Sequence, residues 1–261
     1  MNGPGSERLL GRLASAREVA ALTGAGISAE SGVPTFRGAD GIWAKMKPEE
    51  LASMQGFLNN PALVWEWYAH RRKIIAEITP NRGHEALVRM ERLYPKFAVI
   101  TQNIDNLHRR AGSTVVHELH GNIERNFCMG CGASMDNATV IARQGVPRCD
   151  QCGGMVRPDV VWFGEMLPEE VWAASVRAAQ SCDMFFSIGT SAVVYPAASL
   201  PLIAKEAGAF LVEVNPEATP LTPATDEFLC GPAGEILPAL CAQVEEAREE
   251  TPPQRKPKER P

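Results

Sequence analysis

Two cysteine pairs have the spacing of a metal site. Cys128 and Cys131 form one C-x-x-C pair, Cys149 and Cys152 form the second, and residues 132–148 separate the pairs. This pattern is typical of four-cysteine zinc sites, in which the thiolates complete a tetrahedron around the ion. Because four protein ligands fill that coordination sphere, we expect the zinc to be structural. A redox role for either pair and a nucleic-acid-binding zinc ribbon are the alternatives.

A glycine-rich turn follows the first predicted strand. Residues 24–29, GAGISA, fit the G-x-G-x-x-G/A pattern of dinucleotide-binding turns. Glycines there let the backbone approach a pyrophosphate, whose charge is met by N–H groups at the start of a helix. The acidic residue that holds the ribose about 20 residues later in dehydrogenases has no strand-borne counterpart here. We therefore expect a dinucleotide without the usual hydride-transfer arrangement; a glycine turn without a ligand is the alternative.

Polar side chains lie where the predicted strands end. The set comprises Gly24, Asn103, Asp105, His120, Ser191 and Asn215. Because ligands of open parallel sheets bind beyond the carboxyl ends of the strands, we expect these residues to meet in one crevice. A histidine near its ordinary pKa of about 6.5 accepts a proton at neutral pH, which makes His120 the candidate general base. A core histidine bonded to backbone is the alternative.

The elements that would position these residues alternate between strands and helices. Apolar stretches predict strands over 19–23, 97–101, 114–118, 184–188 and 210–214. Helical patterns are found over 6–16, 60–77, 82–93, 168–180, 197–207 and 233–247. Such alternation predicts an α/β fold, a parallel sheet with helices on both faces. Residues 122–157 hold the four cysteines, show no long periodic segment and are predicted to be an insert.

Composition and charge exclude several classes of function. Lys and Arg number 26 against 31 Asp and Glu, so the net charge of −5 gives no whole-molecule attraction to nucleic acid or anionic membrane. No apolar run approaches the roughly 18 residues of a membrane span. The amino-terminal stretch lacks a secretory pattern, and we expect a cytoplasmic protein. The remaining cysteines, Cys182, Cys230 and Cys241, are predicted to be buried.

Taken together, these motifs resemble the sirtuin family, the NAD-dependent protein-lysine deacylases. The matching motifs are GAGISAESGVPTFRG (24–38), TQNIDNLH (101–108), HG (120–121), CMGC and CDQC, VVWFGE (160–165), GTS (189–191) and VNPE (214–217). They span nearly the whole chain except its ends.

The resemblance implies two domains. A Rossmann-like NAD-binding domain would be formed by residues 1–41, 80–121 and 158–248. A small domain would combine a helical insert, 42–79, with the zinc module, 122–157. Residues 249–261 are rich in proline and basic side chains and are predicted to be a disordered tail.

The resemblance also implies roles for individual residues. His120 would be the general base, and Asn103 would order the reacting groups. The implied NAD-binding residues are Gly24, Ala25, Gly26, Ile27, Ala29, Phe36, Arg37, Trp43, Gln102, Asn103, Ile104, Asp105, Gly189, Thr190, Ser191, Asn215, Pro216, Glu217 and Ala233. The acyl-lysine substrate would contact Tyr68, Arg71, Val161, Phe163, Gly164 and Glu165, with the last three pairing with the peptide backbone as an added strand.

The implied reaction transfers the acyl group of a modified lysine to NAD and releases nicotinamide, O-acyl-ADP-ribose and free lysine. Plain lysine deacetylation and mono-ADP-ribosyl transfer on the same scaffold are the alternatives. Acyl-lysine proteins or peptides are the implied partners. Membrane and direct nucleic-acid partners are not expected, and we expect a monomer.

Tyr68 and Arg71 bear on the choice of acyl group. Their spacing of three on predicted helix 60–77 places both on one face, and the ordinary interpretation is a surface tyrosine beside a solvated arginine. Tyr-x-x-Arg at this place resembles the sirtuin subgroup that removes succinyl, malonyl and glutaryl groups. A carboxylate entering an acyl-lysine tunnel loses hydration unless it is paired. We therefore expect preference for succinyl-lysine and malonyl-lysine, with some deacetylation.

Overall fold

The computed structural model describes residues 5–35, 47–143 and 145–250. Three of the predicted cofactor-binding residues, Phe36, Arg37 and Trp43, lie outside this part of the chain. The last helix continues through Glu250, so it includes the first two residues of the predicted tail. The rest of that tail, 251–261, also lies outside the described residues.

The strands in the described part of the chain are β1 (Glu18–Thr23), β2 (Lys96–Thr101), β3 (Val116–Glu118), β4 (Gly121–Cys128), β5 (Ser134–Met135), β6 (Val156–Val160), β7 (Met184–Ile188), β8 (Phe210–Asn215) and β9 (Glu227–Cys230). The helices are α1 (Glu7–Ser15), α2 (Ala25–Ala29), α3 (Pro48–Leu51), α4 (Met54–Asn59), α5 (Pro61–Glu77), α6 (Arg82–Leu93), α7 (Leu107–Ala111), α8 (Asn137–Ile141), α9 (Glu169–Ser181), α10 (Leu200–Glu206) and α11 (Ala233–Glu250). Among these helices, none is long and apolar enough to cross a membrane.

Six parallel strands form the main sheet in the order β3-β2-β1-β7-β8-β9. In the register of the sheet, Thr23 pairs with Thr101 on one side and with Ile188 on the other, so the carboxyl ends of β1, β2 and β7 are level. The chain leaves β1 for β2 on one side and later returns to β7 on the other side. Strand order therefore reverses beside β1, which is where open α/β sheets bind ligands.

Helices cover both faces of this sheet, as predicted. Alternate residues of β1 point to opposite faces, because side chains of a strand alternate. Val19 and Ala21 belong to a core shared with α1, α6 and α11, whereas Ala20 and Leu22 belong to a core shared with α9 and α10. The α/β fold class is thus confirmed.

A smaller unit carries the cysteine pairs. Its antiparallel sheet has the order β5-β4-β6 and shares a core with α4 and α5. No strand is predicted within 122–157, but β4 runs from Gly121 to Cys128. Polar residues concealed the strand: Asn122 and Asn126 are buried on it, and Asn126 accepts a hydrogen bond from Arg72. The domain boundaries stay a prediction.

The edge strand β9 did not appear in the sequence pattern either. Only Leu229 of its four residues is buried, so the apolar signal is short. Cys230 ends this strand and is exposed, contrary to the expectation that it is buried. Cys182 and Cys241 are buried as predicted.

Candidate active site and metal site

A cavity of about 630 Å³ opens at the carboxyl ends of the central strands. The predicted residues that line it are Gly24, Ala25, Gly26, Tyr68, Gln102, Asn103, Ile104, His120, Val161, Phe163, Gly164, Glu165, Gly189, Thr190, Ser191, Asn215, Pro216 and Glu217. Both units contribute walls. The strand-end residues come from the main sheet, and Tyr68 comes from α5 of the smaller unit.

Of the predicted residues that the structure describes, five are not part of the cavity wall: Ile27, Ala29, Arg71, Asp105 and Ala233. Ile27 and Ala233 are buried in the core, whereas Ala29 is exposed. Asp105 and Arg71 are also buried. Their implied roles in binding stay predictions.

The glycine turn packs against a second glycine turn. The N–H of Gly26 donates to the Gly189 carbonyl at 2.7 Å, and a Cβ added to Gly26 would lie 2.6 Å from the Gly189 Cα. Gly189 itself has φ of +58°, a left-handed conformation that glycine adopts at no steric cost. The contact between these turns therefore requires glycine, and it keeps side chains out of this part of the cavity.

His120 is held with one ring nitrogen free for the cavity. Its Nδ1 lies 3.0 Å from the Gln102 carbonyl oxygen. A carbonyl can only accept, so Nδ1 carries the hydrogen and Nε2 is the unprotonated nitrogen. Burial lowers the pKa of His120, and the bond to Gln102 partly opposes that shift. The imidazole is consequently neutral at pH 7, the state a general base requires.

Asn103 is oriented by bonds to the glycine turn. Its side-chain amide donates to the Gly24 carbonyl at 3.0 Å and to Ser28 Oγ at 3.1 Å. Because both amide hydrogens bind protein, the side-chain oxygen is the atom left to accept from a ligand. Ser28 in turn donates to Asp105 at 2.7 Å, and burial raises the pKa of that carboxyl group.

Two neutral histidines lie beneath this network. The hydroxyl of Thr23 bonds both Thr101 and Nε2 of His108, each at 2.8 Å. The His84 ring lies 4.9 Å from the His108 ring, and its Nδ1 accepts from the N–H of Asn81. Burial lowers the pKa of both histidines, that of His84 to about 4.

We expect the protein to lose stability as the pH falls from 7 to 5. The pKa of His84 is about 4 when folded and about 6.5 when unfolded, so below pH 6.5 the unfolded chain binds a proton that the folded chain does not. At pH 5 this contributes about 2 kcal/mol against folding. Urea midpoints at the two pH values measure the loss. His84→Gln, which keeps an acceptor for the Asn81 N–H, should lose less; an equal loss would contradict the assignment.

Tyr68 and Arg71 are buried, so the ordinary interpretation of a surface pair is wrong. Their exposed fractions are 1% and 6%. The Tyr68 hydroxyl oxygen accepts from Nε1 of Trp162 at 2.9 Å, and the Arg71 guanidinium lies 5.3 Å from the ring centre of Trp67. Burial raises the pKa of Tyr68 to about 12, so the phenol keeps its proton at neutral pH. Burial also lowers the pKa of Arg71, which nearby Asp105 partly opposes.

The segment predicted to bind peptide lies at the cavity rim. The N–H of Phe163 donates to the Ala52 carbonyl at 2.9 Å, which ties the segment to the loop between α3 and α4. The Phe163 side chain is 48% exposed. Glu165 accepts from Arg157 and from the backbone N–H of Trp162. The bonds to Ala52 and Arg157 therefore fix the segment in place, while the Phe163 side chain stays accessible to solvent.

The four predicted metal ligands meet at the end of β4. The sulfur atoms of Cys128, Cys131, Cys149 and Cys152 all lie within 4.8 Å of one another. The pair Cys128–Cys152 is 3.4 Å apart, and Cys131–Cys149 is 3.7 Å apart. A tetrahedron with Zn–S of about 2.3 Å has sulfur atoms about 3.8 Å apart, so this set fits zinc.

Several cavity residues were not singled out by the sequence. They are Thr35, Ala52, Trp67, Val160, Trp162, Leu167, Val194, Tyr195 and Pro196. Four of them had a usable signal, because Thr35 lies inside the motif at 24–38, Val160 and Trp162 lie inside VVWFGE, and Val194 follows the GTS turn. No sequence motif marked Ala52 or Trp67, because their contact with the cavity depends on how the smaller unit packs against the main sheet.

Comparisons with known proteins agree with this geometry. The family model of the Sir2 family matches residues 24–196. NAD-dependent protein deacylase 2 of Pyrobaculum aerophilum is 52% identical over 232 residues, which cover 89% of this chain and 93% of that protein. The solved structure of a Sir2 homologue–NAD complex is 46% identical with a TM-score of 0.88, covering 95% of this chain and 97% of the other.

A further solved structure, Sir2Af2 bound to a myristoylated histone peptide, is 38% identical with a TM-score of 0.76 and covers 93% of this chain and 97% of the other. The resemblance drawn from the motifs is therefore confirmed by sequence and by fold. The chain belongs to the Sir2 family.

Proposed function

We propose that this Sir2-family enzyme removes acyl groups from protein lysine side chains in an NAD-dependent reaction, and that it prefers succinyl and malonyl groups to acetyl. The observation that carries the preference is the buried pair on α5: Tyr68 lines the same cavity as His120, and Arg71 lies one helical turn further along. The relatives named as NAD-dependent protein deacylases support the general reaction.

The residues at the strand ends fit NAD. The turn at Gly24–Gly26 carries no bulky side chain, so a pyrophosphate can approach its backbone at the start of α2, and Ser191 and Asn215 lie on the same wall. When bound, NAD would supply a labile glycosidic bond, whose cleavage releases nicotinamide and leaves the ribose carbon to bond the oxygen of the acyl group. Nε2 of His120 would take a proton from a ribose hydroxyl, and the side-chain oxygen of Asn103 would accept from the ribose.

Gln102 contacts both the candidate base, His120, and the turn after β7. Its backbone carbonyl fixes the His120 tautomer, and its side-chain amide donates to Thr190 Oγ1 at 3.1 Å. Gln102 therefore connects the base to a cavity-lining turn through one backbone and one side-chain hydrogen bond. Zinc would be held by the four cysteines and would stabilise the smaller unit, because no coordination position is left for a substrate.

An acidic acyl group requires a partner inside this cavity. A carboxylate that leaves water costs several kcal/mol unless it is paired. Arg71 can bind it with two parallel N–H bonds, and Tyr68 can donate a third. A hydrogen bond to a charged group contributes about 1.5–3 kcal/mol, which corresponds to roughly 10–100-fold discrimination. An acetyl group gains nothing from either residue.

We expect the parent enzyme to desuccinylate peptides with higher kcat/KM than it deacetylates them. Combined Tyr68→Phe and Arg71→Met substitution should lower desuccinylation by roughly 10–100-fold while sparing deacetylation, because only the charged acyl group uses the pair. Matched peptides that differ only in the acyl group, analysed by mass spectrometry, give both rates. Detection of O-acyl-ADP-ribose separates deacylation from ADP-ribosyl transfer.

Lys73→Met is the matched control, because Lys73 is exposed on the same helix. It should change neither rate. Equal loss of both activities in the double variant, or a parent enzyme that ignores succinyl-lysine, would overturn the proposed preference. The cytoplasmic location and the monomeric state stay predictions from the sequence.

A further inference from the structure

Trp162 contacts the hydroxyl group that the proposed function assigns to acyl recognition. The indole is 2% exposed, and its Nε1 lies 2.9 Å from the Tyr68 oxygen. Trp162 also lines the cavity itself. It therefore belongs to the wall that an acyl group would pass, although the VVWFGE motif that contains it gives this tryptophan no role of its own.

The Trp162 ring is fixed in its position. The Arg157 guanidinium lies 3.4 Å from the ring centre, and the Phe57 ring packs at 5.2 Å. The backbone is fixed as well, because the N–H of Trp162 donates to Glu165 at 2.8 Å. Glu165 in turn binds Arg157 at 2.9 Å, so one ion pair holds the residue at both its main chain and its ring.

The contact with Trp162 determines the hydrogen-bonding roles of the Tyr68 oxygen and of its proton. An indole N–H can only donate, so the Tyr68 oxygen must be the acceptor. The phenol proton is then left to be donated elsewhere. Within the part of the chain that the structure describes, the bond from Trp162 is the only hydrogen bond that the Tyr68 hydroxyl makes. The cavity is the remaining direction.

We propose that Trp162 is a positioning residue for acyl specificity: its N–H occupies the Tyr68 oxygen and thereby directs the phenol proton towards a carboxylate in the cavity. This inference rests on the proposed function and deepens it. A donor on the phenol oxygen polarises the O–H group, so the bond it donates becomes stronger. Without the indole N–H, the buried phenol oxygen loses its partner and the hydroxyl is free to rotate.

Trp162→Phe tests the proposal, because it removes the N–H and keeps an aromatic ring. We expect the ratio of desuccinylation to deacetylation, each as kcat/KM, to fall by about twofold to tenfold, the value of one neutral hydrogen bond. The change should lie mainly in KM for the succinyl peptide, because the carboxylate is bound in substrate and transition state alike. General damage to the fold would lower both activities and leave their ratio unchanged.

Trp65→Phe is the matched control. Trp65 is buried in the same core, and its Nε1 donates to the Val156 carbonyl at 3.1 Å rather than to Tyr68. This variant loses an equivalent indole bond, so it should lower stability without changing the ratio. In a Tyr68→Phe background, Trp162→Phe should have no further effect on the ratio, since the group it positions is gone.

The outcomes separate the two claims. A parent enzyme without succinyl preference overturns the proposed preference and this inference with it. A parent that prefers succinyl, together with a Trp162→Phe variant whose ratio is unchanged, overturns only the role of Trp162. Two further results would also overturn the role of Trp162. One is a Trp65→Phe variant whose ratio falls as far as that of Trp162→Phe. The other is a Trp162→Phe substitution that lowers the ratio in the Tyr68→Phe background as far as it does in the parent.

Discussion

His120→Asn will lower the turnover of acyl-lysine peptides by about 10²–10⁴-fold, the usual contribution of a general base. The substitution keeps a side-chain N–H near the position of Nδ1, so the bond to the Gln102 carbonyl can persist. It removes the unprotonated Nε2, which is the only atom of the residue that can take a proton from a ribose hydroxyl. NAD binding, measured by calorimetry, should stay close to that of the parent.

The pH profile gives this prediction a second readout. The neutral imidazole is the reactive form, so kcat/KM should rise with pH and reach a plateau. Because burial lowers the pKa of His120, the midpoint of that rise should lie below 6.5. The residual activity of His120→Asn should lack this rise.

His70→Asn serves as the control, because His70 is exposed on α5 and is not part of the cavity wall. It should retain both the parent rate and the parent pH profile. Turnover of His120→Asn within tenfold of the parent would contradict the role of His120, as would an acid limb that survives in the variant.

Much of the site could be predicted from sequence because its chemistry is local to strand ends. Gly24 follows β1 directly, Asn103 comes two residues after β2, and His120 comes two residues after β3. Parallel strands bring their carboxyl ends to one edge, so positions distant in sequence become neighbours. The zinc site could be predicted from the two C-x-x-C pairs, because tetrahedral coordination restricts the spacing of cysteine ligands along the chain.

What the sequence could not show depends on packing between the two units. Tyr68 and Arg71 look like surface residues on a helix of mixed polarity, and only the fold reveals that they are buried. Trp162 gains its contact with Tyr68 from a segment 94 positions away in the chain. Polar residues buried on β4 obscure the period-two pattern, because Asn126 is satisfied by Arg72 rather than by solvent.

Cys149→Ala will release the zinc and abolish most activity. A structural zinc site contributes folding free energy directly, and one missing thiolate leaves the tetrahedron incomplete. The smaller unit should then unfold, which removes Tyr68 and Phe163 from the cavity wall. The six-stranded sheet should stay folded, because its two cores contain none of the four cysteines.

Zinc content by mass spectrometry and tryptophan fluorescence together measure this outcome. Trp65, Trp67 and Trp162 all lie in the core of the smaller unit, so its unfolding should shift the emission to longer wavelength. Cys182→Ala is the control: this cysteine is buried beside the main sheet and should keep zinc, emission and activity. A Cys149→Ala protein with one zinc per chain and parental activity would show that the four sulfurs do not form a metal site. Loss of zinc with an intact smaller unit would instead show that the metal is bound there without stabilising the fold.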